Sequence, residues 1–249
     1  KVRNLKAEKY DSIPSLAFPG DNIPELELKD DRFVDIEEYS GGQIICRPAY
    51  FLRGIKGALN RALMREKAAE KLAKASDWLP EGFRFCVLDA WRPFEVQYSL
   101  YCEYFCNLAF RQEYQTTSVM DLHKTARQFV SFPERESNIS YVHSSGGAVD
   151  LTIIDKEGNE ICMGSKFDEF SERSNVDYYE NRGENAQAQH NRRMLYQIMK
   201  RAGFTNLPSE WWHYDYGDRF WSFYTEEKLI YSSVYDIPKE FKEKVIIHG

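Results

Sequence analysis

Apolar and polar positions along this chain of 249 residues change period several times, and each change predicts an element. From Ala49 to Trp78, the residues Leu52, Ile55, Leu59, Leu63, Ala69 and Leu72 recur at helical spacing, which predicts one helix. "FRFCVLDAW" (83–91) alternates enough to predict a strand. Pro93 suits the start of the next helix, an aromatic-rich stretch over 93–112. Residues 113–142 are mixed, with a short helix around 120–130. "AVDLTIID", "KEGNE" and "ICM" then predict a hairpin with Gly158 in its turn. "ENAQAQHNRRMLYQIMKRAGF" (184–204) predicts a helix stopped by Gly203, and a last strand carries "EWWHYDY" (210–216). Residues 1–45 hold turn signals ("AFPGDNIPE", 17–25) and little periodicity, so an irregular arm is expected against a core of residues 46–249. With no internal repeat and no clear linker, the pattern describes one mixed α+β domain.

Composition narrows the function more than the fold. A chain of this length can bury a sizeable core, and 43% hydrophobic with 29% charged residues is ordinary for a soluble globular protein. A net charge of −6 argues against a nucleic-acid surface, and the basic residues of "NRRMLYQIMKR" (191–201) read as a solvated helix face. No run reaches the length of a membrane span and no signal peptide is visible, while the start at Lys1 leaves room for a removed upstream segment and for export. The five cysteines (46, 86, 102, 106, 162) include no CxxC pair, which suggests neither a disulfide scaffold nor a cysteine zinc site. Cys102 and Cys106 lie four apart on a predicted helix and are expected to be core thiols.

The chemistry concentrates in "YVHSSGGAVDLTI" (141–153). Asp150 sits between Val149 and Leu151, and burying a carboxylate there is costly without a positive partner. The glycines of "SSGG" permit a sharp turn that folds His143 back toward Asp150. With His213 as second histidine, these residues form a three-ligand set for a divalent metal, leaving a position for water as catalytic zinc sites do. Glu210 precedes His213 by three residues, so on a flat strand the two point to opposite faces. Both reach one metal only if Glu210 occupies the turn after "NLPS" or the strand twists strongly; Glu210 is then a free base beside the metal. Spacing alone leaves the metal set and a structural role for these residues equally open. Arg92, at a strand-to-helix corner in "LDAWRPFEV" (88–96), either faces a cleft and stabilises an oxyanion or pairs with a carboxylate elsewhere. Asp168 lies in the charged run "MGSKFDEFSERS" (163–174), a pattern usual for a solvated loop.

In this order, "DAWRP", "HSSGGAVD", "MGSKFDEFSERS", "NRRMLYQIMKRAGF" and "SEWWHY" resemble the D-alanyl-D-alanine dipeptidases, zinc enzymes associated with vancomycin resistance and D-amino-acid peptide turnover. The likeness is strongest over residues 83–216. It implies a small antiparallel sheet flanked by helices, the zinc D,D-peptidase (hedgehog-like) fold, with one Zn2+ at the bottom of a narrow cleft. By resemblance, His143, Asp150 and His213 match zinc ligands, Glu210 the catalytic base, Arg92 a transition-state arginine, and Asp168 a receiver of the substrate ammonium. Tyr141 stands where the family usually has a serine close to the substrate, and "SLAFPGDNI" (15–23) replaces a usual arm segment. The resemblance thus implies hydrolysis of D-Ala-D-Ala or a related short peptide with a free amino terminus. A D,D-carboxypeptidase acting on longer cell-wall stems, or a non-catalytic binder of the same fold, are the alternatives. The expected compartment is the cell envelope, where such dipeptides are found.

Overall fold

The computed structural model describes residues 10–20, 25–27, 29, 31–137, 139 and 141–249, so part of the 17–25 turn segment lies outside the described residues. In chain order the elements are β1 (Phe33–Asp35), α1 (Ile36–Tyr39), β2 (Ile45–Cys46), α2 (Ala49–Leu52), β3 (Leu63–Arg65), α3 (Glu66–Ser76), β4 (Arg84–Asp89), α4 (Phe94–Ala109), α5 (Val119–Arg127), β5 (Val149–Ile154), α6 (Ala186–Arg201), β6 (Thr205–Asn206), β7 (His213–Asp215) and α7 (Arg219–Thr225). Five strands form one sheet in the order β2-β4-β5-β7-β6, and β1 pairs with β3 in a separate ribbon. The larger sheet is antiparallel except at its edge, where β2 runs parallel to β4. The architecture is the expected α+β arrangement of a small sheet among helices.

All six residues of β5 are buried, as befits a central strand covered on both faces. Alternation divides them. Val149, Leu151 and Ile153 join Phe85 and Val87 of β4 against Ala68, Ala69 and Leu72 of α3 and Leu195, Ile198 and Met199 of α6. Full burial of a side chain such as Leu195 or Leu151 contributes on the order of 1.5–3 kcal/mol, enough to fix which face of β5 turns inward. Asp150 therefore lies on the opposite face, the one that Ile154, Cys86 and Leu88 share with Phe167.

Several expectations are corrected. The predicted helix over 49–78 is three elements, because Gly54 (φ 76°) and Gly57 (φ 82°) adopt left-handed backbone and end α2 after one turn. Its periodic leucines go to different places: Leu52 is exposed, while Leu59 and Leu63 pack with Phe33, Trp91 and Phe241. The segment expected to be irregular contributes β1 and α1, and Ile13 enters the main core. Arg192 is not on a solvated face. It is buried on α6 and donates to the carbonyls of Met163, Arg173 and Asn175, tying down the loop that carries Asp168. Cys102 is half-buried and Cys106 exposed, and all five cysteines are free. Gly203 does follow α6 with φ 92°, and Gly158 (φ 86°) does turn the chain between Ile154 and its bridge partner Glu160.

Candidate metal centre and active site

Three strands bring the acidic and imidazole groups into line. In the register Asp150 faces His213 across β5 and β7, and Asp89 faces Asp150 across β4 and β5. Strict alternation would turn Asp89 to the other face, but an irregularity between Val87 and Asp89 shifts the register there. A bulge of this kind re-aims one side chain. His143 arrives separately, on a 3-10 turn (Val142–Ser145) ended by Gly146 at φ 77°. A Cβ on Gly146 would meet the Phe33 ring at 2.4 Å, and one on Gly147 would meet the Tyr216 carbonyl oxygen at 2.1 Å. The paired glycines thus let the His143 turn sit directly against its neighbours.

His143, Asp150 and His213 are all buried and form a group able to hold a metal ion. His143 Nε2 lies 3.2 Å from His213 Nδ1, which lies 2.9 Å from Asp150 Oδ1, and His143 Nε2 is 3.4 Å from Asp150 Oδ2. The outward nitrogens are already committed. His143 Nδ1 donates to the Ala90 carbonyl at 2.7 Å, and His213 Nε2 donates to Asp215 Oδ1 at 2.7 Å. With those tautomers, the inward nitrogens both present lone pairs, which repel unless a cation or a proton stands between them. Zinc–nitrogen bonds of about 2.0–2.1 Å in a tetrahedral shell hold donors roughly 3.3 Å apart, so the spacing and the two-imidazole, one-carboxylate donor set fit Zn2+. Outward partners of this kind orient the ligands of metal sites.

Electrostatics support the arrangement. Burial alone would raise the Asp150 pKa, yet His143 and His213 hold it well below the usual carboxylate range. Burial likewise works against an imidazolium at His213, but Asp215 and Asp150 push its pKa well above the ordinary value.

Glu210 lies in the turn before β7, with its amide bonded to the Leu207 carbonyl and its own carbonyl bonded to the His213 amide. Of the two arrangements that the sequence allowed, the chain uses the turn. Glu210 Oε2 is 3.9 Å from His213 Nδ1, and burial pushes its pKa up to about 7. Arg92 is buried at the β4–α4 corner. Its Nη2 is 2.7 Å from Asp89 Oδ2 and 3.7 Å from Asp150 Oδ2, while Nη1 donates to Gln97 Oε1 at 2.7 Å. Burial opposes that guanidinium, and Tyr50, Asp89 and Asp150 more than offset it, keeping it charged. Asp168 turns inward from a loop whose Lys166, Phe170, Ser171, Glu172 and Arg173 are exposed, as expected of that run. It accepts from Tyr50 Oη at 3.2 Å and from Arg53 at 3.1 Å, and burial raises its pKa to about 6. Tyr141 is buried and donates its hydroxyl to the Arg92 carbonyl at 2.9 Å.

One cavity of about 480 Å3 is lined by His143, Asp150, His213, Glu210, Arg92, Asp168 and Tyr141. Sequence reasoning had missed Tyr50, Asp89 and Asp215. One of these carried a readable signal: Asp215 is two residues from His213 on the same strand face. Tyr50 carried none.

The profile of the D-ala-D-ala dipeptidase family matches residues 51–233. A D-alanyl-D-alanine dipeptidase of Synechocystis sp. (strain ATCC 27184 / PCC 6803 / Kazusa) is 29% identical over 228 residues, covering 84% of this chain and 89% of that protein. The D-alanyl-D-alanine dipeptidase of Escherichia coli (strain K12) is 45% identical over 73 residues, 29% of this chain and 36% of that protein. The solved structure of VanYB in complex with D-alanine-D-alanine aligns with 86% of this chain and 94% of its own at 14% identity, with a TM-score of 0.43. A profile match over most of the chain, around a donor set that fits zinc, makes this chain a member of the D-ala-D-ala dipeptidase family and a zinc metallopeptidase.

Proposed function

We propose that this enzyme hydrolyses D-Ala-D-Ala or a closely related dipeptide with a free amino terminus. The observation that carries the reading is the shared cavity: a metal donor set, a carboxylate base of raised pKa, a fixed guanidinium and a second carboxylate all face one space. Zinc, when bound by His143, Asp150 and His213, lowers the pKa of water toward neutrality and polarises the scissile carbonyl. Glu210 takes the proton of the attacking water as its oxygen bonds to the carbonyl carbon. The Arg92 guanidinium, held in place by Asp89 and Gln97, stabilises the negative charge that develops on the carbonyl oxygen. Glu210 then passes its proton to the leaving amine as the C–N bond breaks. Asp168 receives the substrate ammonium, which limits substrates to those whose amino end lies near the cut. Tyr141 contributes to the wall near Arg92.

The Glu210→Gln protein is expected to retain its zinc and to lose at least about a hundredfold in turnover of D-Ala-D-Ala, as removal of a general base does. Turnover close to the unmodified rate would overturn the role. A panel of D,D-, L,D- and L,L-dipeptides with a chelator control reads the chirality. A cavity of about 480 Å3 also has room for a longer peptide, which gives a second reading, a D,D-carboxypeptidase acting on longer stems. Release of D-Ala from a pentapeptide ending in D-Ala-D-Ala, without hydrolysis of the dipeptide, would establish it instead.

A further inference from the structure

Asp168 is not an open carboxylate. Tyr50 donates to its Oδ1, and Arg53 Nη1 lies 3.1 Å from its Oδ2. Arg53 is itself divided, because its Nη2 also donates to both carboxylate oxygens of Glu103, at 3.2 and 3.1 Å. The Arg53 and Glu103 side chains are 42% and 46% exposed, against 24% for Asp168. Arg53 also lies over the Tyr50 ring, at 5.6 Å, but exposed ion pairs such as its own are weak enough to exchange. All three residues line the cavity that holds the metal donors. An ammonium arriving at Asp168 therefore meets a guanidinium already seated there, and a second carboxylate waits on the far side of that guanidinium.

We propose that Arg53 is a displaceable counter-ion and a specificity-determining residue: it occupies Asp168 in the free enzyme and moves fully onto Glu103 when a protonated amino terminus enters. The proposal rests on the dipeptidase reading and deepens it. A ligand with a free ammonium replaces the charge that Arg53 takes away. An N-acylated peptide does not, so it leaves Arg53 across the subsite. Arg53 thus sets the cost of entry, and Glu103 lowers that cost by giving the guanidinium a place to go.

The test is steady-state hydrolysis of D-Ala-D-Ala by zinc-loaded Arg53→Gln, Glu103→Gln and the double variant. Arg53→Gln is expected to lower KM about twofold to fivefold, the range of an exposed ion pair, with a much smaller effect on kcat. Glu103→Gln is expected to raise KM, and that rise should vanish in the double variant because the two residues act through one guanidinium. A KM that is unchanged or higher in Arg53→Gln, or a Glu103→Gln effect that persists without Arg53, overturns the proposal. The absence of any dipeptide turnover by the unmodified enzyme would overturn the dipeptidase reading, and this inference with it; turnover with unshifted KM values overturns this inference alone.

Discussion

Asp168 combines two features that are costly singly: a left-handed backbone at φ 58° and a largely buried carboxyl. Strain of this kind persists where the surrounding structure enforces it, and here Arg192 clamps the loop from behind. Burial raises the Asp168 pKa to about 6, so a proton competes with a substrate ammonium in mildly acidic solution. The sign follows directly. In its proposed role the carboxylate binds the ammonium only above its own pKa, and binding is lost as pH falls through it. In the zinc-loaded Glu210→Gln protein, where the proposed base no longer titrates, the dissociation constant for D-Ala-D-Ala is expected to be lowest near about pH 7, to rise up to tenfold per unit below about 6, and to rise again above about 8 as the substrate ammonium itself loses its proton. Calorimetric titration over that range measures it. Asp168→Asn should bind weakly with no acid limb, and an acid limb that survives in that variant would remove Asp168 from the ammonium site.

At the scale of elements, the site depends on how closely the His143 turn approaches β5 and β7. Gly147 carries that approach, since a Cβ there would lie 2.1 Å from the Tyr216 carbonyl oxygen, a backbone atom with no rotamer to give way. Gly147→Ala is therefore expected to destabilise the fold by about 1–3 kcal/mol, the usual cost of overpacking, and to weaken zinc binding as His143 is pushed from Asp150. A thermal melt and a zinc competition titration read the two effects, and an unaltered melt with normal affinity would refute the contact. The sequence disclosed this region well: "SSGG" before "AVDLTI" contains both the tight approach and the strand that follows. The same reasoning failed over 49–78, where leucines at helical spacing outweighed the two glycines that break the run. It also missed Asp89, because its place in the site comes from a bulge, and a one-residue shift between paired strands leaves no mark in the alternation of either strand. Tyr50 and Arg53 were hidden for a related reason: they reach Asp168 across more than a hundred residues of chain, and no local period encodes such a contact.

Across the whole molecule, the metal donors come from three separate parts of the chain: the 142–145 turn, β5 and β7. Anything that binds this assembled set and not the unfolded chain stabilises the fold, by about 2.7 kcal/mol at a hundredfold excess over its dissociation constant. For a chain of this size that corresponds to a rise in Tm of roughly 5–10 °C on loading with zinc, reversed by a chelator. The dependence on pH carries more information than the shift itself. Without metal, Asp215 and Asp150 raise the pKa of His213 above its unfolded value, so an imidazolium there supplies stability. That stability is full below the unfolded pKa of about 6.5 and declines as pH rises from there through the folded pKa. Zinc displaces the same proton, so its affinity grows over the window in which the metal-free fold weakens. The difference in Tm between zinc-loaded and chelator-treated protein is therefore expected to widen as pH rises from about 6.5. Asp215→Asn, which removes one of the two carboxylates that hold the proton, should flatten that widening. A difference that narrows with rising pH would mean that His213 is not where proton and metal compete.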